Sequence, residues 1–410
     1  MTSSYVVLFV VTALSGISIT CGSLSPPGDT VIDFTTDLHR AIQLADTGEN
    51  IIFSPLGVSL ILGMIKLGAG GTTLQQIKRA LKLQGNQESE EFPGLQPLLA
   101  VISEENKEFT FNLVNALYLQ EGFRVKEKYL HSNKKFFKSA IKSVNFQDAK
   151  ASAETISAWV EMQTNGKIQK LLSSDDISPL TKMILVNAIY FKGDWKHKFT
   201  RESTRMEEFK IKRGVTTKIP MMHLLTKTQL GYFSTNNLSY KVLELPYKGN
   251  QISLILALPA KNADIGDMEK LMTEKLIKGW FTEMTEEEVE ISLPRFKLEH
   301  EVDLKKSLLS LNVTDIFNQK CDLSGITDAP NLYITKIIQK VFFEIDEKGS
   351  EAAASTGMEA AAMSMTNHNF VADHPFLFFI RHVKSESILF MGKVTNPDES
   401  NAKRRDVESL

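Results

Sequence analysis

The chain has 410 residues, 42% hydrophobic and 23% charged, a globular make-up that supports a sizeable core and excludes global disorder. Its formal net charge of -2 at pH 7 gives no basis for a broad nucleic-acid or membrane surface, since both need clustered basic residues. Past the N-terminus no stretch approaches the roughly 20 apolar residues of a membrane span, so a soluble protein is expected.

Tyr5 to Ile19 is the one long apolar run, followed by small residues at Thr20–Ser23. That pattern predicts a secretory signal peptide cleaved near Gly22 or Ser23. Residues 1–22 are therefore read as a leader and 23–410 as one domain, because no Pro/Gly/Ser-rich linker and no internal repeat divides the remainder. A secreted, extracellular protein suits the glycosylation sequons Asn237-Leu238-Ser239 and Asn312-Val313-Thr314. Only two cysteines occur, and Cys21 falls in the cleavage zone. Cys321 is left unpaired, so packing must hold the fold, with the thiol expected to be buried.

Helices come first along the chain. Asp33 to Leu44 is amphipathic. Ser54 stands as N-cap and Pro55 at the first position of a second helix, whose run Leu56 to Leu67 is apolar nearly all round and therefore central. Gly68-Ala69-Gly70-Gly71-Thr72-Thr73 has the look of a phosphate loop, but it follows a helix and lacks the Gly-Lys-Ser/Thr ending. A helix stop followed by a Thr N-cap is expected there. Phe109 to Leu119 and Met183 to Phe191 read as strands, with helical spacing over Ala151 to Thr164 between them. Further strands are predicted at Tyr240 to Leu245, Ile252 to Leu258, Glu287 to Leu293, Lys340 to Ile345, Phe376 to Ile380 and Ile388 to Val394. Helices early and strands late predict an α+β fold with mainly antiparallel sheets.

Catalytic signatures are missing. There is no His-Glu-x-x-His, no Cys-x-x-Cys and no Gly-x-Ser-x-Gly, and the eight histidines are scattered without metal-ligand spacing. No catalytic residue, metal or cofactor is expected, and the chain is not read as an enzyme. The unusual segment is Glu347 to Met365. Its alanines favour a helix, which Gly357 weakens by roughly 1 kcal/mol. Read with period two, Ser350, Ala352, Ala354, Thr356, Met358, Ala360 and Ala362 form an uncharged face, while Glu351 and Glu359 fall on the other. Helix and strand both remain open on these grounds.

Glu347-Lys348-Gly349-Ser350-Glu351-Ala352-Ala353-Ala354 resembles the hinge of the serpin family. Phe370-Val371-Ala372-Asp373-His374-Pro375-Phe376-Leu377-Phe378 and Ile388 to Pro397 resemble its C-terminal signature, and Leu185 to Trp195 the strand with its shutter asparagine and breach tryptophan. Phe53-Ser54-Pro55, Leu293-Pro294-Arg295-Phe296 and Asp322 to Ile326 agree, in the family's order. The likeness is strongest to the pancpin and neuroserpin branch.

The resemblance implies a reactive-centre loop over about 349–370 with hinge residues Gly349, Ser350, Glu351, Ala352, Ala353 and Ala354. It implies shutter and breach residues Ser54, Asn187 and Trp195, and Gln339 where the family usually has histidine. Counting from Gly349 puts the reactive bond at Met363-Ser364; counting back from Pro375 moves it one residue on. The implied activity is suicide inhibition: a target serine protease forms a covalent complex as the cut loop enters the main sheet. A non-inhibitory carrier or binding module is the alternative the same fold allows. No Lys or Arg lies between Lys348 and Arg381, so chymotrypsin- or elastase-like targets are expected rather than trypsin-like ones. The acidic stretch Gln87 to Lys107 argues against heparin activation. A monomer is expected, with no nucleic-acid or membrane partner.

Overall fold

The computed structural model describes residues 27–45, 50–83, 98–99, 108–348 and 368–398, so the leader lies outside the described residues. Helix α1 (Pro27–Ala45) turns Phe34, Leu38, Ala41 and Ile42 inward. Strand β1 (Ile51–Phe53) then leads into α2 (Pro55–Gly68). Ser54 caps α2 by accepting from the Gly57 amide at 3.1 Å, and Pro55 occupies a position that needs no N–H donor. Leu56, Val58, Leu60, Ile61, Leu62, Met64 and Ile65 are all buried, as an all-round apolar helix requires.

The start of α3 (Gly71–Ala80) corrects the expected Thr N-cap: the cap is Gly70, without a side-chain bond, and Thr72 and Thr73 lie inside the helix. The cause is a close approach. The Gly70 amide donates to the Asp322 carbonyl at 3.0 Å, and a Cβ on Gly70 would sit 2.3 Å from Asp322 Oδ2. The two hydroxyls are used elsewhere. Thr72 donates to Asp315 at 2.7 Å, and Thr73 accepts from the Asp322 amide at 3.0 Å.

The chain continues through β2 (Phe109–Gln120), α4 (Glu127–Phe137), β3 (Ala140–Val144), α5 (Ala149–Gln163) and β4 (Met183–Gly193). Then come β5 (Arg205–Lys212), β6 (Val215–Thr235), β7 (Leu238–Pro246) and β8 (Ile252–Pro259). Helices α6 (Ile265–Leu271) and α7 (Glu274–Glu283) precede β9 (Thr285–Pro294) and β10 (Phe296–Asp303), and α8 (Leu304–Ser310) precedes β11 (Lys336–Ile345). Strands β12 (His368–Val371), β13 (Phe376–His382) and β14 (Ser387–Val394) finish the described chain.

Two sheets result, in an α+β arrangement. One has five strands in the order β10-β11-β4-β2-β3; the other runs β1-β14-β13-β8-β7-β6-β9-β12, with β5 added on β6. Pairing is mainly antiparallel, but β11–β4, β2–β3 and β12–β9 are parallel. Strands β4 and β11 are buried on both faces almost throughout. One face meets α2 and the larger core; on the other, Ile184, Val186, Ala188 and Ile338 pack beneath Ile156 and Val160 of α5. The middle of the five-stranded sheet is therefore sealed from water on both sides.

Candidate functional site

Parallel register sets Gln339 of β11 opposite Asn187 of β4, and antiparallel register sets Asn115 of β2 opposite the same asparagine. All three side chains are joined. Gln339 Nε2 donates to Asn187 Oδ1 at 2.8 Å, and Asn187 Nδ2 donates to Asn115 Oδ1 at 2.7 Å. The same glutamine clasps the cap of α2: its Oε1 accepts from the Ser54 amide at 2.7 Å and its Nε2 donates to the Ser54 carbonyl at 2.9 Å. Ser54 Oγ donates onward to the Leu389 carbonyl of β14 at 2.7 Å. Ser54, Asn187 and Gln339 are wholly buried, so each unmade bond here would carry its full desolvation cost. Helix and sheet are in close contact, since a Cβ on Gly57 would lie 2.2 Å from Asn187 Oδ1.

Thus Ser54, Asn187 and Gln339 form one network. Asn115 is its fourth member, which the sequence reading missed; nothing in the run Phe109 to Leu119 separates it from Asn112 except the register.

A second cluster closes the Gly193 end of β4. Trp195 stacks on Tyr247 with ring centroids 4.4 Å apart, and its Nε1 donates to the Asp346 carbonyl at 2.8 Å. Burial raises the Tyr247 phenol well above its ordinary range, so it stays neutral. Glu347, only 3% exposed, accepts from Thr204 Oγ1 at 2.8 Å and from Arg295 Nη1 at 3.3 Å. Tryptophan, carboxylate and guanidinium thereby hold the chain where it leaves β11. Gly349, Ser350, Glu351, Ala352, Ala353, Ala354, Met363 and Ser364 lie outside the described residues. The described chain resumes in β12, which pairs with β9.

Among the described residues one constellation resembles hydrolytic machinery. His223 Nε2 lies 2.9 Å from Glu207 Oε1, and its Nδ1 lies 3.1 Å from Ser292 Oγ. Ser292, however, is 6% exposed and sits inside β9, opposite both His223 of β6 and Val371 of β12. It is a cross-strand ladder rather than a presented nucleophile. No group of three or more His, Cys, Asp or Glu among the described residues is placed to hold a metal, and no described helix is long and apolar enough to cross a membrane.

The sequon residues Asn237 and Asn312 are both exposed, at positive φ of 65° and 62° in turns after β6 and α8. Cys321 is half-buried, and burial pushes its thiol up to about 12, which makes it a poor nucleophile at neutral pH.

Residues 29–397 match the family described as Serpin (serine protease inhibitor). The chain is 56% identical to human Serpin I2 over 379 residues, covering 92% of this chain and 93% of the relative. It is 38% identical to neuroserpin of Gallus gallus, covering 94% and 95%, and 39% identical to human leukocyte elastase inhibitor, covering 89% and 97%. Among solved structures, uncleaved ovalbumin matches with a TM-score of 0.84 at 30% identity, covering 91% of this chain and all of that one. Human thyroxine-binding globulin with its ligand matches at 0.83 and 29%, covering 91% and 99%. With its sheets, its buried Ser54–Asn187–Gln339 network and a family match spanning nearly the whole described chain, the protein belongs to the serpin family, close to its neuroserpin and Serpin I2 (pancpin) branch.

Proposed function

We propose that this protein is a secreted suicide-substrate inhibitor of chymotrypsin- or elastase-like serine proteases. The observation that carries the reading is the parallel β4–β11 seam. A strand that turned back after Glu347 would run antiparallel to β11, and hence also to β4, so it could pair with both at once. The small residues Ser350, Ala352 and Ala354 suit the inward face of such a strand, where a charge would oppose burial.

In this mechanism the protease serine attacks the Met363 carbonyl, the bond to the Ser364 nitrogen breaks, and the acyl-enzyme stays attached to Met363. Insertion of about 14 residues at ~3.3 Å each carries it roughly 45 Å, and distortion of its oxyanion hole stalls deacylation. An apolar pocket of medium size suits unbranched Met363. The protein acts as a monomer with the protease as its covalent partner, and Asn237 and Asn312 carry its glycans.

Mixing the mature protein with chymotrypsin and with elastase, then running a denaturing gel, tests this directly. A stable band at the summed mass is expected with at least one of them and none with trypsin. Simple loop cleavage with no covalent band would instead favour the carrier reading, which draws on the likeness to ovalbumin and thyroxine-binding globulin. Selective oxidation of Met363 to its sulfoxide is expected to slow complex formation at least tenfold, because a polar sulfoxide suits an apolar pocket poorly. An unchanged rate after oxidation would remove Met363 from its assigned position.

A further inference from the structure

Where the chain leaves β11, a cavity of about 450 Å³ opens beside Glu347, within the ~300–1,000 Å³ range of small-molecule sites. Three arginines line it, Arg201, Arg205 and Arg295, against the one carboxylate of Glu347. Little of their bonding capacity is spent. Arg205 gives its Nε to Glu207 at 3.3 Å, and Arg295 gives Nη1 to Glu347 at 3.3 Å. Arg201, exposed on the short turn Arg201–Ser203, has no side-chain partner among the described residues. A guanidinium carries five N–H donors, so each of the three keeps donors free for a ligand. Glu347 is only half used as well. Its Oε1 accepts from both Thr204 and Arg295, whereas Oε2 accepts from no group among the described residues. Exposed Met206 and half-buried Pro220 complete the wall with apolar surface.

We infer that this cavity binds a soluble phosphate monoester of a small polyol. Each part of such a ligand has a counterpart in the wall. Planar guanidinium forks match phosphate oxygens two at a time. The carbon atoms of the ester lie against Met206 and Pro220. A carboxylate oxygen can only accept, so Oε2 demands a donor from the ligand, and a polyol hydroxyl provides one. Sulfate provides none and would set anion against anion there. A polymeric anion fits poorly, because Glu202, Glu207 and Glu208 break up the basic run in the sequence. Among the lining residues Met206 is the one exposed large apolar side chain, too little to enter a bilayer, so the ester is free in solution rather than a lipid headgroup.

The position of the cavity sets what binding does, a step that rests on the loop-insertion reading above. Arg201, Thr204 and Arg205 belong to the chain that has left β4, and Glu347 to the chain that leaves β11. A ligand gripped by both ties them together at the root of the hinge. The hinge must turn back about Glu347 to enter the seam, so an occupied cavity holds the loop outside and slows insertion.

The test is calorimetric titration of the mature protein, at fixed ionic strength and roughly pH 7.5 where the ester is a dianion, with glycerol 3-phosphate and with sulfate. The ester is expected to bind at least tenfold more tightly than sulfate, and Arg201→Gln/Arg205→Gln to weaken it at least tenfold. Both arginines are exposed, so that variant should melt with wild type when no ligand is present. Lys212→Ala/Arg213→Ala, at the β5–β6 turn, removes the same charge and should bind as wild type does. Glu347→Gln gives the sharper reading: its amide can donate as well as accept, so it should bind sulfate and ester about equally, a change of preference that mere destabilisation would not produce. Equal affinity of the wild type for sulfate, undiminished binding by the arginine variant, or tighter binding to phosphatidic acid vesicles than to the soluble ester would overturn the assignment. These titrations need no protease, so they stand or fall apart from the inhibitory reading. Where a covalent protease complex does form, saturating ester should slow its formation in wild type and leave the arginine variant unaffected; equal rates with and without ester in wild type would overturn the tie.

Discussion

Nicking the loop at or near Met363 is expected to raise the melting midpoint of the whole molecule, not lower it. Most proteins lose stability when a surface loop is cut, because the unfolded chain gains freedom. Here the freed arm gains a place between β4 and β11. About a dozen new main-chain hydrogen bonds at a net ~1 kcal/mol each come to on the order of 10 kcal/mol. Unfolding entropy near 2 cal/mol/K per residue, summed over a chain of this size, makes that roughly 10–15 °C. The uncut protein is then held by a kinetic barrier rather than at its free-energy minimum. A differential scan before and after limited cleavage measures the change. Ala354→Arg provides the control, since it puts a guanidinium on the inward face, where burial without a partner is costly. That variant should be cut just as readily, gain little on cutting and form no covalent complex. A clipped wild type that melts no higher than the intact protein would end the inhibitory reading.

The parts of this fold that the sequence announced are those with a single environment. Strands β4, β8 and β13 are buried on both faces and appear as nearly continuous apolar runs, interrupted only by residues such as Asn187 and Ser253; α2 is buried nearly all round and carries a cap and a proline at its start. Strand β6 went unread because it changes neighbours. Its 21 residues pair with β5, then β9, then β7, its buried positions drift from one face to the other, and Pro220 interrupts it. Strand β10, with Lys297, Glu299 and Glu301 along it, and helix α4, with its lysines, were hidden by charge. The same holds for the site. Ser54, Asn187 and Gln339 were named from resemblance, but no periodicity could reveal that Gln339 and Asn187 sit side by side. Their pairing is parallel, between residues 152 positions apart in the chain, and only the folded register brings them together. Glu347 was visible merely as the first letter of a motif. Of its two partners, Arg295 lay in a stretch noted only for its resemblance, and Thr204 in a segment with no sequence signal, so neither contact could be read.

Gln339 offers the sharpest test of what keeps the β4–β11 seam closed. Its amide makes three bonds, one accepted and two donated, and all end on buried groups. Gln339→Ala would strand the Ser54 amide and Asn187 Oδ1, leave the Ser54 carbonyl with only its bond from the Val58 amide, and open a void beneath α2. At ~1–3 kcal/mol per orphaned group, partly offset by relaxation, the loss is on the order of 3–5 kcal/mol, or about 4–6 °C in melting midpoint. Gln339→Glu separates packing from hydrogen bonding, because it keeps the shape and removes only the donor. Its carboxylate would face the Ser54 carbonyl and Asn187 Oδ1, both acceptors, so the folded protein should raise the pKa of residue 339 above its unfolded value. A group raised in this way contributes stability when protonated and loses that contribution as pH rises through the folded value. The Glu variant should therefore approach wild type near pH 5 and fall behind it at pH 8, whereas the Ala deficit should hardly change with pH. Spontaneous loop insertion or polymer formation on gentle heating should quicken in both, since the seam has lost its central tie. If the Ala variant melts within about 1 °C of wild type, the seam is closed by apolar packing alone and the buried amides have no part in it.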